Sequence, residues 1–341
     1  MPANGPSFRP LEGASFGVLA EIAGPSPVET FIAAGAEIRD RLNEAGGLMV
    51  VRGLGGLDKS PEALVRLSRV FGPEVENYRE TLTGARFFHE AVPEILVLSN
   101  RPPCNHPPPP QAETESGGLP VRFPEQPNWH TDQSYRRPPP DITLLYAVKL
   151  PPPHQGQTLF ANCSAAYEAL DGAKKARIAG LKGIHAPSWI GRTAEDVRNG
   201  ATPKPLLDHQ RPQRQPLVRI HPETGRPALY LCEDKQMDFV EGPIAGLAPG
   251  PDGEGAQLLH VLMRHATGPA FTYVHEWAPG DLVIGDNRCL LHAATWYDAE
   301  RYTRLMLRTT VMGNPGADYA GEAKSWIPRD GSAPMQGMEN A

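Results

Sequence analysis

Two residues that could hold a metal ion stand one position apart in the stretch "QPNWHTDQSY", namely His130 and Asp132. On a strand, residues i and i+2 point to the same face, so this imidazole and this carboxylate could reach one ion together. The tripeptide alone is weak evidence, because a histidine in a loop and an aspartate in a turn would give the same pattern. A third ligand elsewhere in the chain has to decide between the two interpretations.

A second histidine, His292, ends an apolar run far downstream, in "GDLVIGDNRCLLHAATWYD". Two imidazoles and one carboxylate form the facial triad of non-haem Fe(II) oxygenases, which leaves open positions for a co-substrate and dioxygen. On its own, His292 would more often be a histidine of the core or of a turn. The three residues together predict a mononuclear iron site.

Two arginines, Arg304 and Arg308, follow in the strand-like segment "RYTRLMLRTTVMG". Strand periodicity places both on one face with Met306, and leucines on the other face. Arginines that point inward from an apolar strand cost free energy unless each meets an anion, so a clamp for carboxylates is one interpretation. An exposed sheet face with two solvated arginines is the other. Thr158, in "GQTLFANC", adds a hydroxyl donor within another predicted strand.

The elements that must position these residues are mostly short strands. The chain opens with a predicted helix, strand and helix in "VETFIAAGAEIRDRLNEAG", "GLMVVRGL" and "KSPEALVRLSRVFG". Alternating or apolar runs bounded by Gly, Pro and Asp then predict strands in "EILVLSN", "DITLLYAVKL", "QTLFANC", "PLVRIH", "PALYL", "FTYVHEW", "DLVIGDN" and "TRLMLRTTVMG". Two further helices are predicted in "CSAAYEALDGAKKARIAG" and "EGAQLLHVLMRHAT". This pattern favours a mostly β fold, a sandwich or jelly roll with flanking helices.

We predict one domain over residues 1–341, with a core at about 15–313. Long irregular stretches inside a compact domain are usually functional or disordered, and 101–127 and 190–216 are predicted to be active-site loops. The segment 314–341 is rich in Gly, Ala and Pro and is predicted to be an irregular tail.

Composition limits the classes of partner. The net charge of −6 argues against a nucleic-acid partner bound through its phosphates. No run of 18 apolar residues predicts a membrane span, and the N-terminus lacks the pattern of a secretory signal. The four cysteines are far apart and form no CxxC pair, which favours reduced thiols and a cytoplasmic location.

The segments "NWHTDQSY", "GQTLFANCSAAYEAL", "GDNRCLLHAA" and "RLMLRTTVMG" together resemble the taurine / 2,4-dichlorophenoxyacetate dioxygenase (TauD/TfdA) family. The resemblance covers about residues 15–313. It implies a double-stranded β-helix, that is, a jelly-roll or cupin-like core. It also implies Fe(II), the co-substrate 2-oxoglutarate and O₂, with iron held by His130, Asp132 and His292.

By the same resemblance, Thr158 and Arg304 hold the distal carboxylate of 2-oxoglutarate, and Arg308 points toward the primary substrate or assists the co-substrate. Asp286 and Asn287 order the loop before the distal histidine. Trp129 is mainly a packing residue.

The substrate pocket departs from the taurine-cleaving members of the family. Those members carry a His and a Tyr after the "FG" turn and an Asn before the first metal ligand. Here Asn77 and Gln126 stand near the His and Asn positions, and Tyr78 or His89 lines the pocket in this interpretation. Taurine is therefore disfavoured as the substrate, whereas Arg308 favours another small anionic molecule.

The predicted function is hydroxylation, or another oxidation through C–H abstraction, of a small anionic organic substrate, giving succinate and CO₂. Asp132 disfavours halogenation, because related halogenases carry a small residue in place of the carboxylate ligand. One alternative is a tailoring oxygenase of the same family acting on an amino-acid or peptide-like natural-product intermediate, by hydroxylation, desaturation or cyclisation. Others are a non-catalytic metal-binding jelly-roll protein and a zinc hydrolase. The resemblance also implies a homo-oligomer, a dimer or tetramer.

Overall fold

The computed structural model describes residues 5–81, 84–110, 128–207 and 210–327, and these residues form fifteen strands and seven α-helices. The strands are β1 Ser7–Pro10, β2 Val18–Glu21, β3 Leu48–Arg52, β4 Glu74–Val75, β5 Leu96–Ser99, β6 Ile142–Lys149, β7 Thr158–Asn162, β8 Lys182–His185, β9 Gln213–Pro216, β10 Val218–Ile220, β11 Pro227–Leu229, β12 Thr272–His275, β13 Leu282–Asp286, β14 Leu290–Ala294 and β15 Leu305–Met312. The helices are α1 Pro27–Ala33, α2 Gly35–Glu44, α3 Pro61–Ser68, α4 Cys163–Glu168, α5 Gly172–Ile178, α6 Ala194–Arg198 and α7 Glu254–Ala266.

A large sheet and a small sheet organise these strands. The large sheet has eight strands in the order β1-β2-β3-β13-β6-β15-β4, and β5 also pairs with β15. The small sheet has the order β12-β7-β14 and is antiparallel throughout. Within the large sheet only β2 and β3 run parallel.

The two faces of the large sheet bury different cores. Along β13, Leu282 and Ile284 pack with α1, α2 and α3 on one face. Val283 points to the other face, where it joins a cluster built from the small sheet, α4 and α7. This alternation follows from the two-residue period of a strand. The prediction of a mostly β fold with flanking helices is confirmed.

Two predicted helices are each divided. The first breaks into α1 and α2 at Ala34, where Gly35 lies close to Val70, so that a Cβ at Gly35 would meet the valine side chain at 3.1 Å. The second breaks into α4 and α5 because Asp171 caps a new helix by accepting a hydrogen bond from Lys174 N. The Asp171 cap is a local contact between residues three positions apart, whereas the approach of Gly35 to Val70 depends on a tertiary neighbour that helical periodicity does not report.

Two segments predicted to be irregular carry structure. The segment 190–216 contains α6, which begins with a reciprocal capping box between Thr193 and Asp196, and the strand β9. Within the described part of the tail, Tyr319 and Trp326 are buried. No described helix is both long enough and apolar enough to span a membrane.

Aromatic and backbone contacts hold this tail against the turn that follows Asp132. The Arg136 guanidinium lies 5.1 Å from the Trp326 ring, and that of Arg137 lies 4.9 Å from Tyr319. Ser325 N donates to the Arg137 carbonyl, and Arg137 N donates to the Ser325 hydroxyl. The turn "QSYRRPPPD" is therefore partly buried beneath the tail.

Candidate active site

The structure brings His130, Asp132 and His292 together. The backbones of His130 and His292 are bridged by two hydrogen bonds, of 3.0 and 2.8 Å, which extend the small sheet beyond β14. The Nε2 atom of each histidine lies 3.9 Å from Asp132 Oδ1. One ligand atom from each residue lies within 4.8 Å of the others. The three donors thus converge, although His130 pairs only through this single bridge and Asp132 lies in the turn that follows it, not on a strand.

The protonation states suit a metal ion. Burial lowers the pKa of His292 to about 3 and also lowers the pKa of His130, so both rings are neutral. The His130 Nδ1–H group donates to the Asn128 carbonyl at 2.7 Å, which leaves the Nε2 lone pair facing the cluster. Burial by itself would raise the pKa of Asp132, but the charge of Arg308, helped by the hydrogen bond from Thr143, holds it well below its ordinary value.

The two oxygens of Asp132 have separate partners. Arg308 Nη1 donates to Oδ1 at 2.7 Å, and the Thr143 hydroxyl donates to Oδ2 at 2.7 Å. Burial opposes the charge of Arg308, yet the Asp132 carboxylate raises the pKa of the guanidinium above its ordinary value. Arg308 is therefore partnered by the carboxylate of the cluster while it also lines the adjoining cavity.

Arg304 differs from Arg308 because no carboxylate pairs with it within the described part of the chain. Its Nε atom is shielded from solvent without a partner, and burial lowers its pKa to about 10. Thr158 lines the same cavity, and its Oγ1 accepts a hydrogen bond of 3.0 Å from Trp277 Nε1. The only hydroxyl proton of Thr158 is thus left to donate elsewhere.

The cavity between the two sheets has a volume of about 300 Å³. The cluster and both arginines open into it, and its walls are largely apolar, formed by Leu98, Leu145, Phe160, Val283 and Leu290. Residues His106–Pro109, from the stretch predicted as an active-site loop, also line it. Residues 190–207 and 210–216 of the second predicted loop are not among its lining residues.

The predicted placement of the two arginines needs one correction. Arg304 precedes β15, and the pairing of β15 with β6 shifts register between Leu305 and Met306. Leu307 packs with the helix-side core, as expected for the opposite face. Arg304 and Arg308 nevertheless line one cavity. The correction is that Arg304 stands just outside the strand; the residue skipped in the pairing is Val148 of β6, and β15 itself pairs residue by residue with β5 from Leu305 to Arg308.

Apart from Arg308, the described residues predicted to bind substrate or line the pocket are not among the residues that line the cavity. Asn77 donates to Glu80 at 2.9 Å, and the buried Tyr78 hydroxyl shares a hydrogen bond of 2.7 Å with Thr310. His89 Nδ1 accepts a hydrogen bond from Val92 N within its own turn. None of the three lines the cavity, and Gln126 falls outside the described residues. Their roles in substrate binding stay predictions.

Thr143, Trp277, His106 and Tyr297 are site residues that sequence reasoning missed. The available signal for Thr143 was its position as a polar residue in the otherwise apolar strand "DITLLYAVKL". Asn287, predicted only to order a loop, contacts both Thr143 and the backbone of Asp132. Trp129 is buried, in agreement with its predicted packing role.

A second group of potential metal ligands is formed by His221, Asp286 and Cys289. His221 Nδ1 accepts hydrogen bonds from two backbone N–H groups, so its Nε2–H donates to Asp286 at 3.0 Å. Arg288 donates to both oxygens of Asp286. Burial raises the pKa of the Cys289 thiol well above its ordinary value. This buried group is internally satisfied and orders the turn between β13 and β14.

The residues present fit an iron ion and 2-oxoglutarate. Two neutral imidazoles and an ionised carboxylate converge at the wall of a cavity, which is the donor set of a facial triad. In the same cavity, the unpartnered Nε of Arg304 and the free hydroxyl proton of Thr158 suit a carboxylate.

Comparison with known proteins agrees with this assignment. Residues 7–310 match the family described as "Taurine catabolism dioxygenase TauD, TfdA family". The chain is 37% identical over 196 residues to (S)-phenoxypropionate/alpha-ketoglutarate-dioxygenase of Sphingobium herbicidovorans, covering 56% of this chain and 64% of that protein. The matches to the first curated relatives thus span about three fifths of their length.

Two other relatives match over more of the chain. Pentalenolactone F synthase of Streptomyces arenae is 28% identical over 272 residues, covering 74% of this chain and 84% of that protein. A crystal structure of a taurine dioxygenase from Burkholderia xenovorans superposes with a TM-score of 0.62 at 26% identity, covering 92% of each chain. The predicted jelly-roll core is thereby confirmed, and the chain belongs to the TauD/TfdA family.

Proposed function

We propose that this protein is an Fe(II)- and 2-oxoglutarate-dependent oxygenase that oxidises a C–H bond of a small anionic organic substrate, giving succinate and CO₂. The observation that carries the proposal is the shared cavity, where the His130, Asp132 and His292 cluster opens beside the unpartnered Arg304. Neither the cluster nor the arginine would be specific to an oxygenase if it stood alone. Together they match a metal and a dicarboxylate co-substrate that have to react side by side.

The residues of the chain would hold, orient and shield the reacting groups. When bound, iron and 2-oxoglutarate supply the oxidising chemistry. His130, Asp132 and His292 hold the ion through one face, and Thr158 and Arg304 bind the distal carboxylate of the co-substrate. The apolar cavity wall excludes water, which strengthens these charge-assisted contacts.

An anionic substrate is supported by the charge of the cavity. Arg308 keeps one hydrogen bond to Asp132 and has further N–H groups, of which Nε has no partner within the described residues. His106 lies on the cavity wall close enough to Arg304 and Arg308 for their charges to lower its pKa, after the larger effect of burial. The relative named for phenoxypropionate supports an organic acid with an apolar body, for which the largely apolar wall is suited.

A tailoring oxygenase is the second candidate. The relative named pentalenolactone F synthase aligns with 74% of this chain, more than the 56% matched by the phenoxypropionate enzyme. Such an enzyme would use the same metal and co-substrate for hydroxylation, desaturation or cyclisation. Product analysis by mass spectrometry separates the outcomes, because hydroxylation adds one oxygen atom and desaturation removes two hydrogen atoms.

A non-catalytic metal-binding protein is the alternative from another class. It would have no need for a buried, unpaired arginine beside the metal ligands, since such a group costs free energy without an anion. We also propose a cytoplasmic location, which the four free buried cysteines support. A homo-oligomer, either dimer or tetramer, is proposed from the family resemblance. Light scattering on the purified protein measures the oligomeric state.

The decisive experiment is an anaerobic titration of the metal-free protein with Fe(II) and then 2-oxoglutarate. Chelation of the metal by the keto acid should give a weak visible charge-transfer band. The band should be lost in Arg304→Ala at the same co-substrate concentration. Iron binding without a band in the wild-type protein would instead favour the metal-binding alternative.

A further inference from the structure

The hydrogen bonds around Asp132 treat its two oxygens differently. Oδ1 lies 3.9 Å from Nε2 of both His130 and His292, so this oxygen faces the position that a shared ion would take. Oδ1 also accepts a hydrogen bond of 2.7 Å from Arg308 Nη1, whereas Oδ2 accepts the Thr143 hydroxyl at 2.7 Å. The carboxylate therefore presents one oxygen to the histidines, while the other is held by β6.

The direction of the Thr143 hydrogen bond is fixed by a third residue. Asn287 Nδ2 donates to Thr143 Oγ1 at 2.9 Å, and a hydroxyl has one proton to give. Because Asn287 occupies an acceptor lone pair of Thr143, the hydroxyl proton points to Asp132. The result is a directed chain from Asn287 through Thr143 to Asp132 Oδ2.

Asn287 is itself held in place by the segment that carries the ligand. Its side-chain Oδ1 accepts from Asp132 N at 3.4 Å, and its backbone carbonyl accepts the Thr131 hydroxyl at 2.9 Å. Asn287 is 4% exposed, so solvent does not compete for these groups. The amide thus joins the turn after β13 to both ends of the Asp132 residue, its backbone N–H and its carboxylate.

We propose that Thr143 and Asn287 are positioning residues that hold Asp132 Oδ2 on the side of β6 and so keep Oδ1 turned toward the two histidines and the metal. The inference rests on the metal site of the proposed function. Neither residue needs to touch the metal, the co-substrate or the substrate to act in this way. Hydrogen-bond partners of metal ligands are known to orient the ligands and tune affinity.

The consequence concerns the number of open positions at the metal. Three protein atoms leave open positions for a bidentate keto acid and for dioxygen. A carboxylate that used both oxygens would occupy a further position, and dioxygen would lose its place. By holding Oδ2, Thr143 turns this oxygen away from the ion and fixes the direction of Oδ1, so loss of the hydroxyl should weaken the binding of the ion.

The test is Fe(II) affinity, measured anaerobically on the metal-free protein with a chelating dye in competition. Thr143→Val keeps the shape of the side chain and removes the hydroxyl, and should weaken Fe(II) binding by about 10- to 100-fold. Thr143→Ser restores the hydroxyl, so its Fe(II) affinity should lie within about threefold of the wild-type value. That difference is smaller than the loss of about 10- to 100-fold expected when the hydroxyl is removed. If the valine variant does not fold, Thr143→Ala is used in its place.

The matched control is Thr309→Val. Thr309 is a buried threonine on the neighbouring strand β15, where its hydroxyl bonds Ser68 at 2.6 Å instead of Asp132. This variant should leave Fe(II) affinity unchanged. Asn287→Ala should weaken Fe(II) binding, and its effect should be smaller in the Thr143→Val background, because the path through Thr143 is then already broken while the contact with Asp132 N remains.

The inference is overturned if Thr143→Val binds Fe(II) as tightly as wild type, if serine fails to restore affinity, or if Thr309→Val weakens binding equally. Additive effects of the Asn287 and Thr143 substitutions would also overturn it. Failure of the proposed function has a different signature, since the wild-type protein itself would then show no 2-oxoglutarate band. The two failures are therefore separable in one set of titrations.

Discussion

Two groups of residues in this chain contain potential metal ligands, and they differ in what surrounds them. His130, Asp132 and His292 have imidazole lone pairs that converge beside a cavity of about 300 Å³. His221, Asp286 and Cys289 lie in the core, where Arg288 neutralises the carboxylate and the histidine gives its Nε2–H to Asp286. In this second group the ligand atoms are already committed to protein partners.

The difference shows that residue type and proximity do not define a metal site. A histidine ligand needs a ring lone pair that no N–H group has taken, and an ion needs a path to reach it. Only the first group meets both conditions among the described residues. The hydrogen bonds and ion pairs of the second group hold the turn that leads to His292 in place. The second group thus supports the first without binding an ion itself.

The substitution Asp132→Ala is the strongest test of the assignment of the first group as the metal site. We expect complete loss of iron-dependent turnover, because the only anionic ligand is removed. The fold should persist, since Arg308 lines the cavity and can be solvated there. Succinate release in the presence of Fe(II) and 2-oxoglutarate is the measurement, and circular dichroism is the control for folding. Succinate formation at the wild-type rate would refute the assignment of the triad.

Arg304→Ala should have the next largest effect. Loss of a buried charge-assisted partner costs about 3–5 kcal/mol, which corresponds to a hundred- to several-thousand-fold weaker binding of 2-oxoglutarate. Thermal unfolding of the ligand-free protein should not be destabilised, because no carboxylate pairs with Arg304 within the described chain. Calorimetric titration of the iron-loaded protein with 2-oxoglutarate measures the affinity, and an unchanged value would remove Arg304 from the co-substrate site.

Asp286→Asn tests the second group and should affect stability instead of metal binding. Arg288 is 3% exposed and would lose its main counter-ion, at a cost of about 3 kcal/mol in the free energy of unfolding. Urea denaturation measures this loss. The folded fraction should still bind one equivalent of Fe(II), so a loss of that equivalent in fully folded protein would contradict the division into two groups.

Trp277→Phe is expected to have a smaller effect. The indole N–H donates to Thr158 Oγ1, and phenylalanine keeps a ring against His275 but loses that donor. We expect about 1 kcal/mol, or roughly fivefold weaker 2-oxoglutarate binding, with unchanged Fe(II) affinity. Equal weakening of Fe(II) and 2-oxoglutarate binding would indicate a general packing defect.

Cys289→Ser should have the smallest effect of all. If the second group held an ion, removal of its thiol would lower the metal content of the protein. We expect the same single equivalent of Fe(II) in variant and wild type, measured by elemental analysis after anaerobic loading. Two equivalents in wild type and one in the variant would mean that both groups are metal sites.

Sequence reasoning could identify the ligands because their chemistry is local in pattern. The close spacing of His130 and Asp132 indicates a shared ion, although Asp132 lies in a turn and not on a strand. The apolar run before His292 predicts the strand β14 that carries it. Thr158 lies at the first position of β7, opposite Ala294 of the strand that carries His292. Strand pairing thus brings residues that are far apart in the sequence close together in the structure.

The pocket could not be predicted in the same way. Pairing of β4 with β15 at Val75 and Val311 directs Tyr78 to Thr310 and away from the cavity. The register between strands that are distant in sequence depends on tertiary packing, so it cannot be predicted from the sequence of one segment alone. The role of Thr143 was missed for the same reason, since its partner Asn287 is brought to it by pairing of β6 with β13.

The contacts between the tail and the turn after Asp132 have a practical meaning for anyone who engineers this protein. Residues 314–327 look dispensable because they contain little regular structure. Nevertheless, Trp326 packs against Arg136, and Tyr319 and Ser325 contact Arg137. The first of these arginines is only four positions after Asp132. A deletion for crystallisation should therefore begin beyond Ile327, and an affinity tag belongs at the other terminus or behind a spacer.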